Sequence, residues 1–368
     1  MSATADPNSQ WNAPVKGRGT GLAPQNRFVP IAVVPDFEHF EHDFDELLGD
    51  RKVPTQFLVD ASQSIISENS SPDVPFRFSL NPYRGCEHGC AYCYARPYHE
   101  YLGLNAGVDF ESKILVKEQA PRLFREFLCR KTWKPELITF SGVTDCYQPA
   151  ERRFRLTRGC LEVAWEARQP IGLITKNALI VRDLDLLRQM AAENLVEASI
   201  SLTTLNRELA RELEPRTSSP EARLKAIEQL TAAGVPVRVM TAPVIPGLND
   251  SELPALLAAA AKAGAKSAGY VLLRLPLAVE PVFRDWIARF RPSHAPRIET
   301  LIRQTRDGAW NQSHFGSRMR GTGELADQIA KTFRVFSRKN GLEAKPPTLD
   351  YTKFRPPRDA RGQLRLFD

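Results

Sequence analysis

Residues 81–99 read NPYRGCEHGCAYCYARPYH and gather Cys86, Cys90 and Cys93, half of the chain's six cysteines, into one short loop. Cys129, Cys146 and Cys160 are scattered. Disulfide frameworks belong to small secreted chains, whereas tight cysteine spacing in a longer chain points to a metal centre. The apolar run FRFSL, 76–80, leads straight into the loop, so the thiols are expected at the end of a strand.

Downstream, apolar runs and helical patterns alternate. ELITFSG (136–142) follows the helical APRLFREFLCRKT (120–132), and IGLITKN (171–177) follows LEVAWEARQ (161–169). LDLLRQMAAEN (184–194) precedes ASISLTT (198–204). SPEARLKAIEQLTAAG (219–234) is a helix by its punctuation: Ser219 at the N-cap, Pro220 at the first turn, Gly234 past the end. VPVRVMTAPV (235–244), the Ala-rich LPALLAAAAKAGA (253–265) and SAGYVLLRL (267–275) complete the series. Val-, Ile- and Leu-rich strands alternating with helices imply a parallel sheet with right-handed crossovers. Six such units predict an α/β fold, a partial (β/α)6 TIM-like barrel, with an open doubly wound sheet as the alternative. The expected organisation is an irregular N-terminal arm (1–74), the barrel (75–280), a basic helical C-terminal extension (281–341) and a flexible C-terminal tail (342–368). Within the arm, KGRGTGLAPQNRF (16–28) reads as a flexible basic segment and DFEHFEHDFDELL (36–48) as a short acidic helix.

Three thiolates spaced x3 and x2 can each bind a different iron of a [4Fe-4S] cubane. Most such clusters use four cysteines, so one iron here is left open to a non-protein ligand. A zinc knuckle with His88 or His99 as fourth ligand is the alternative, although zinc sites usually take two ligand pairs separated by a longer loop, and no second pair is present.

C-x3-C-x-aromatic-C after a first strand resembles the signature of the radical SAM superfamily, with Tyr92 in the aromatic position. The resemblance covers about Pro75 to Leu277. It implies an enzyme whose [4Fe-4S] cluster, on Cys86, Cys90 and Cys93, reductively cleaves S-adenosyl-L-methionine (SAM). IGLITKN, ASISLTT and LEPRTSSPEARLKAIEQLTAAG are further similar to segments of spore photoproduct lyase and its uncharacterised bacterial relatives. That likeness implies that Tyr92 lies beside the adenine, that Lys176 contacts the SAM carboxylate and that Ser201 also reaches SAM. It implies that Ser141, Gly142 and Thr144 surround the SAM amino group and that Ile245 and Gly247 cover the adenine. Arg216 is a further candidate without a counterpart in the related segment. In one respect the chain departs from the lyase. Gly142 stands where the lyase carries its hydrogen-donating cysteine, and Cys146, four residues on, is expected either to act on a substrate radical or to be a small buried hydrophobe. Asp145, Tyr147, Gln148 and Glu151 are expected on the substrate side.

The chain is 42% hydrophobic and 25% charged, with a net charge of +7. Between Arg284 and Lys339 twelve Lys/Arg face five Asp/Glu, which accounts for the whole excess. Such clustering fits either a solvated surface or a phosphate-facing wall. DNA or RNA is therefore an expected partner, DNA repair an expected setting, and a flavodoxin or ferredoxin the expected reductant. The alternatives are radical SAM modification of a protein or metabolite, or a non-catalytic metal-cluster module that binds nucleic acid. The sequence shows no membrane-spanning run or signal core, so a cytoplasmic location is expected. At the end of a Pro- and Arg-rich tail, Gln363, Leu364, Leu366 and Phe367 resemble a peptide that binds the bacterial sliding clamp; a short edge strand is the alternative.

Overall fold

The computed structural model describes residues 15–29, 52–345 and 348–357. Its strands are β1 (Gln56–Val59), β2 (Ile66–Glu68), β3 (Phe78–Leu80), β4 (Tyr83–Arg84), β5 (Lys113–Val116), β6 (Ile138–Phe140), β7 (Ile171–Thr175), β8 (Val196–Ser201), β9 (Val237–Val244) and β10 (Ser267–Leu272). The main sheet runs β10-β9-β8-β7-β6-β3-β2. Its pairings from β3 to β10 are all parallel, and only β2 pairs antiparallel, with β3. These six parallel strands are the six apolar runs of the sequence in order; β2 and β10 are the outermost strands, and Leu342–Ala344 bridges antiparallel to β10. The fold is thus a partial barrel.

Register sets which ends line up. Phe140 pairs with Leu173, Thr175 with Ile200, and Ser201 with Met240, so the residues that follow β6, β7, β8 and β9 emerge along one rim. The opposite face of each strand is buried against the flanking helices. Leu80, Phe140, Leu173, Ile200 and Val239 belong to one core cluster with Leu161 and Ile227 from the helices. Helix boundaries follow local chemistry. Ser219 Oγ accepts the N–H of Ala222 at 3.3 Å with Pro220 in the first turn, and Asn206 Oδ1 caps Arg207–Leu213.

Four short strands are not legible as periodic runs. β1, β5 and β4 form a second, three-stranded sheet, β1 parallel and β4 antiparallel to β5. The arm therefore contributes one strand to each sheet, β1 to the smaller and β2 to the main one. The basic segment 16–28 lacks regular secondary structure, yet Arg18, Thr20 and Asn26 are buried. The acidic segment 36–48 lies outside the described residues.

Beyond β10, helices Val279–Phe290, Ala295–Gln304 and Gly323–Lys339 form the extension. Ile329 of the last packs with Tyr270, Leu272 and Leu253 beside β10. The described part of the tail is docked. Leu342 and Leu349 are buried, Asp350 N–H donates to the Asn194 carbonyl at 2.9 Å, and Arg355 N–H to the Ala167 carbonyl at 2.9 Å. Asn194 and Ala167 precede β8 and β7, so the tail docks at the N-terminal ends of these strands, the end opposite the rim residues. Gln363, Leu364, Leu366 and Phe367 lie outside the described residues. Among the described residues no helix is long and apolar enough to cross a membrane.

Candidate active site

The cysteine loop leaves β4 and turns twice through left-handed glycines, Gly85 at φ 78° and Gly89 at φ 64°. It is held from both sides. Gln148, fully buried, accepts the Glu87 N–H at 2.9 Å and donates to the Gly85 carbonyl at 3.1 Å. On the other side Arg96, also fully buried, donates to the Cys90 carbonyl at 3.2 and 2.8 Å and to the Gly107 carbonyl at 3.0 Å. Its charge is met by Glu111 at 2.5 Å. Glu111 in turn accepts the Gly19 N–H at 2.8 Å, and Arg18 donates to the Glu111 carbonyl. The segment read as a flexible basic arm therefore straps the cysteine loop. Contact is so close that a Cβ on Gly19 would lie 1.7 Å from the Gly89 carbonyl oxygen. Gly19→Ala is accordingly expected to displace the loop and lower iron content after anaerobic reconstitution, whereas Gly17→Ala, with open space around it, is expected to show only the smaller cost of a left-handed alanine. Equal iron content in Gly19→Ala and wild type would refute the strap.

Cys86 and Cys90 are buried and Cys93 is half-buried. Cys86 and Cys93 share one cluster with Ala95 and Phe110, while Cys90 packs with Tyr92 and Ile245. Burial raises all three thiol pKa values, while Lys176 opposes this at Cys90, and Arg96, then Lys176, at Cys93. Left bare, these thiols stay protonated; a cationic iron centre would convert them to thiolates, and the nearby cations suit a negatively charged cluster. The donor set thus fits a three-cysteine iron–sulfur cluster. A single-ion zinc site does not fit. Among the described residues no three His, Cys, Asp or Glu side chains converge on one ion. The two histidines weighed as fourth ligand are committed elsewhere: His88 Nε2 faces Asn177 Nδ2 at 3.1 Å, and His99 Nε2 lies 3.0 Å from the Lys113 carbonyl. Burial lowers both imidazoles to about 4, so both are neutral at pH 7.

Around the loop, the sequence-identified residues gather on the rim. Ser141 and Gly142 follow β6, Lys176 follows β7, Ser201 ends β8, and Ile245 and Gly247 follow β9. Active sites of barrels of this type lie at that end of the strands. Lys176 Nζ stands 5.8 Å from the Tyr92 ring centroid and 3.5 Å from the Ala242 carbonyl, with no carboxylate within ion-pair distance among the described residues. Tyr92 is buried and donates its hydroxyl to Glu214. Ile245 is buried beside Tyr92, its N–H donated to Asn249 Oδ1 at 2.6 Å. Gly247, at φ 76°, faces Leu301 of the extension.

The residues around the turn after β6 are engaged within the protein. Ser141 Oγ donates to the Ile174 carbonyl at 2.7 Å and accepts the Cys146 N–H at 3.0 Å. Thr144 Oγ1 donates to the Tyr83 carbonyl at 2.9 Å. Both hydroxyls shape the turn after β6, and Gly142, at φ 105°, offers its carbonyl to the Tyr94 hydroxyl. Cys146 is fully buried in the main core, and burial pushes its thiol pKa well up. Tyr147, Gln148 and Glu151 are fully buried, not substrate-facing. Asp145 is a hub: its carboxylate accepts Thr175 Oγ1 at 2.7 Å and the Lys176 N–H at 2.8 Å, and lies 3.4 Å from His88 Nδ1. Arg216 pairs with Glu87 at 3.0 Å.

The sequence reading also missed the support beneath Tyr92. Glu214 accepts from Tyr92, from Thr203 Oγ1 at 2.7 Å and from Arg223, and both Glu214 and Arg223 are buried. Burial would raise the Glu214 carboxyl, but Arg223, then Lys176 and the hydroxyl donors, override it and hold it down at about 2. The signal was present: a Glu and an Arg nine residues apart flank the cap of Pro220–Ala232.

The radical SAM superfamily model matches residues 80–260. This chain belongs to the radical SAM superfamily. An uncharacterized protein of Mycobacterium tuberculosis is 39% identical over 63% of this chain and 68% of its own length. An uncharacterized protein of Methanocaldococcus jannaschii is 32% identical over 48% of this chain and 63% of its own length. Among solved structures, spore photoproduct lyase aligns over 77% of this chain and 79% of its own, with TM-score 0.57 and 16% identity, a likeness of fold. A second structure of that lyase, complexed with dinucleoside spore photoproduct, aligns with TM-score 0.56, 16% identity and the same coverage of both chains. Members of the superfamily use a [4Fe-4S] cluster and SAM, so the chain is a radical SAM enzyme, and the non-catalytic metal module is set aside.

Proposed function

We propose that this radical SAM enzyme acts on nucleic acid, with Cys86, Cys90 and Cys93 holding the cluster and Lys176, Tyr92, Ser201, Ile245, Gly247 and the turn Ser141–Gly142–Thr144 enclosing SAM. When bound, the reduced cluster and SAM supply a 5′-deoxyadenosyl radical by one-electron cleavage of a C–S bond. The chain's residues do the rest. Lys176, without an ion-pair partner among the described residues, offers its ammonium group to a carboxylate. Tyr92, fixed by Glu214, gives a flat wall. Ile245 and Cys90 pack on that wall, and when the cluster is bound they would help keep water from it. A one-electron donor such as flavodoxin or ferredoxin is required.

The observation that carries the nucleic-acid reading is the set of cations on the extension that find no carboxylate. Arg297, Arg320, Lys331, Arg334 and Lys339 have none within ion-pair distance among the described residues, while Arg284, Arg289, Arg291, Arg303, Arg318 and Arg338 are paired. Arg320 lies over Tyr270 at 4.2 Å and donates to its carbonyl at 3.2 Å, so part of this wall stands beside β10. The likeness of fold to a lyase solved with a dinucleoside photoproduct agrees with it. The test is anaerobic reconstitution followed by quantification of 5′-deoxyadenosine with and without damaged DNA or RNA. Stimulation by nucleic acid that fades as salt rises supports the reading. Formation indifferent to nucleic acid at low salt rejects it.

Lys176→Ala is expected to weaken SAM binding by about tenfold or more while the cluster still assembles, because a charge-assisted hydrogen bond to a carboxylate contributes roughly 1.5–3 kcal/mol. The readout is SAM titration of the reduced cluster by electron paramagnetic resonance, and an unaltered affinity removes the assignment.

A further inference from the structure

The cysteine loop continues into Arg96–Leu102, a 3-10 helix, and from there a row of aromatic rings runs outward across the surface. Tyr94, directly after Cys93, is 44% exposed and anchored by its hydroxyl to Gly142 at the end of β6. Tyr98 and Tyr101, three residues apart, share a face of the 3-10 helix and are 54% and 66% exposed. Their ring centroids are 6.4 Å apart. Tyr101 stacks on Phe28 of the strap at 4.7 Å and an interplanar angle of 28°. A soluble protein rarely leaves contiguous rings in water without a use for them.

Arginines border the row. Arg27 lies over Phe28 at 5.0 Å, with its edge on Glu100 at 2.7 Å. Arg318 lies over exposed Phe315 at 4.4 Å, with its edge on Asp73 at 2.5 Å. Arg274, just past the end of β10, stands 5.9 Å from the Tyr94 ring and within electrostatic reach of Arg318 and Tyr98. Among the described residues no carboxylate lies within ion-pair distance of it, although Asp73, which pairs with Arg318, acts on it electrostatically; its buried Nε has no hydrogen-bond partner, and Nη1 reaches Met319 Sδ at 3.6 Å.

From this arrangement we infer that Phe28, Tyr101, Tyr98 and Tyr94 form a stacking path for a single strand of nucleic acid, with Arg274 taking a phosphate where the path meets the mouth of the cluster site. Single-strand binders combine these two elements, rings on which bases stack whatever their sequence and cations that track the backbone. An apolar peptide would use the rings but leave Arg274 unmatched. A duplex hides the base faces that such rings accept. Because the path starts beside Cys93, a base laid on Tyr94 would stand at the rim where the strand-end residues converge. The inference rests on the nucleic-acid reading of the site and adds to it the strandedness of the substrate and the residues that receive it.

The test is fluorescence anisotropy of a labelled oligothymidylate, and of a blunt duplex, with the reconstituted full-length protein. Wild type is expected to favour the single strand. The Tyr98→Ala/Tyr101→Ala pair is expected to lose about tenfold or more in single-strand affinity, and Tyr98→Phe/Tyr101→Phe to keep it, since stacking needs the ring and not the hydroxyl. Arg274→Gln is expected to weaken binding and reduce the log–log salt slope by about 0.7, one phosphate's worth on a single strand. Iron content and far-UV circular dichroism serve as folding controls; should the alanine pair fail them, Arg274→Gln decides. Wild-type affinity in both variants, or a preference for duplex, overturns the path while the nucleic-acid reading stands. Wild type that binds neither probe overturns both.

Discussion

Cys90→Ala is expected to give a folded protein that holds no stoichiometric four-iron cluster and forms no 5′-deoxyadenosine above the unreduced background. The reason is the donor count. Three thiols serve a cluster that most proteins hold with four, so no spare ligand exists to replace one. Neighbours offer no substitute: His88 is engaged by Asn177 and Asp145, and Glu87 by Thr55 and Arg216. The fold should survive, because the Cys90 carbonyl and not its thiol is what Arg96 grips. Cys146→Ala is the matched control. Its thiol is also buried but lies in the main core, so the cluster is expected to assemble normally. Iron and sulfide per chain, read beside product formation, decide the matter. Stoichiometric zinc without iron or sulfide in anaerobically purified wild type would end the cluster assignment itself.

The long apolar runs were legible because period and length suffice to recognise buried parallel strands; β7, β9 and β10 lie within their quoted stretches, and β8 begins two residues before its own. Once those strands are aligned, the rim positions of Lys176, Ser201 and Ile245 follow from chain direction alone. What escaped the sequence depends on long-range partners. β1 and β5 are four residues each and acquire their identity from each other, with no repeating pattern of their own. Arg18 and Gly19 read as a basic, glycine-rich arm because their partner, Glu111, is more than ninety residues away. Gln148 was placed on the substrate side because its position after β6 was read correctly, but only the fold shows that the side chain turns inward to Gly85 and Glu87. The charge count between Arg284 and Lys339 also overstated the free positive surface, since carboxylates outside that stretch, Glu280, Glu212, Asp73 and Glu343, pair with Arg284, Arg291, Arg318 and Arg338.

Arg223→Met is expected to lower the apparent Tm by on the order of 10 °C, the larger of the stability effects foreseen here. The substitution keeps most of the side-chain stem but leaves Glu214 as an uncompensated carboxylate in a site 1% exposed. Breaking a buried pair from one side costs roughly 3–5 kcal/mol, whereas removing both charges is often close to neutral. Arg223→Met/Glu214→Gln should therefore recover much of the lost stability. It should not recover SAM affinity to the same degree. The Glu214 carboxylate accepts the Tyr92 and Thr203 hydroxyls, and Arg223 also donates to the Ser201 carbonyl at 3.1 Å and the Ser218 carbonyl at 2.8 Å. One ion pair thus braces the wall behind the expected adenine position, the end of β8 and the turn into Pro220–Ala232 together. A purely structural pair predicts that stability and SAM binding recover in step in the double variant. A pair that positions Tyr92 predicts restored melting with SAM affinity still reduced, and that split, measured by thermal denaturation beside SAM titration of the reduced cluster, tells the two apart. An Arg223→Met protein that melts with wild type would show that Lys176 and the hydroxyls alone hold the Glu214 charge.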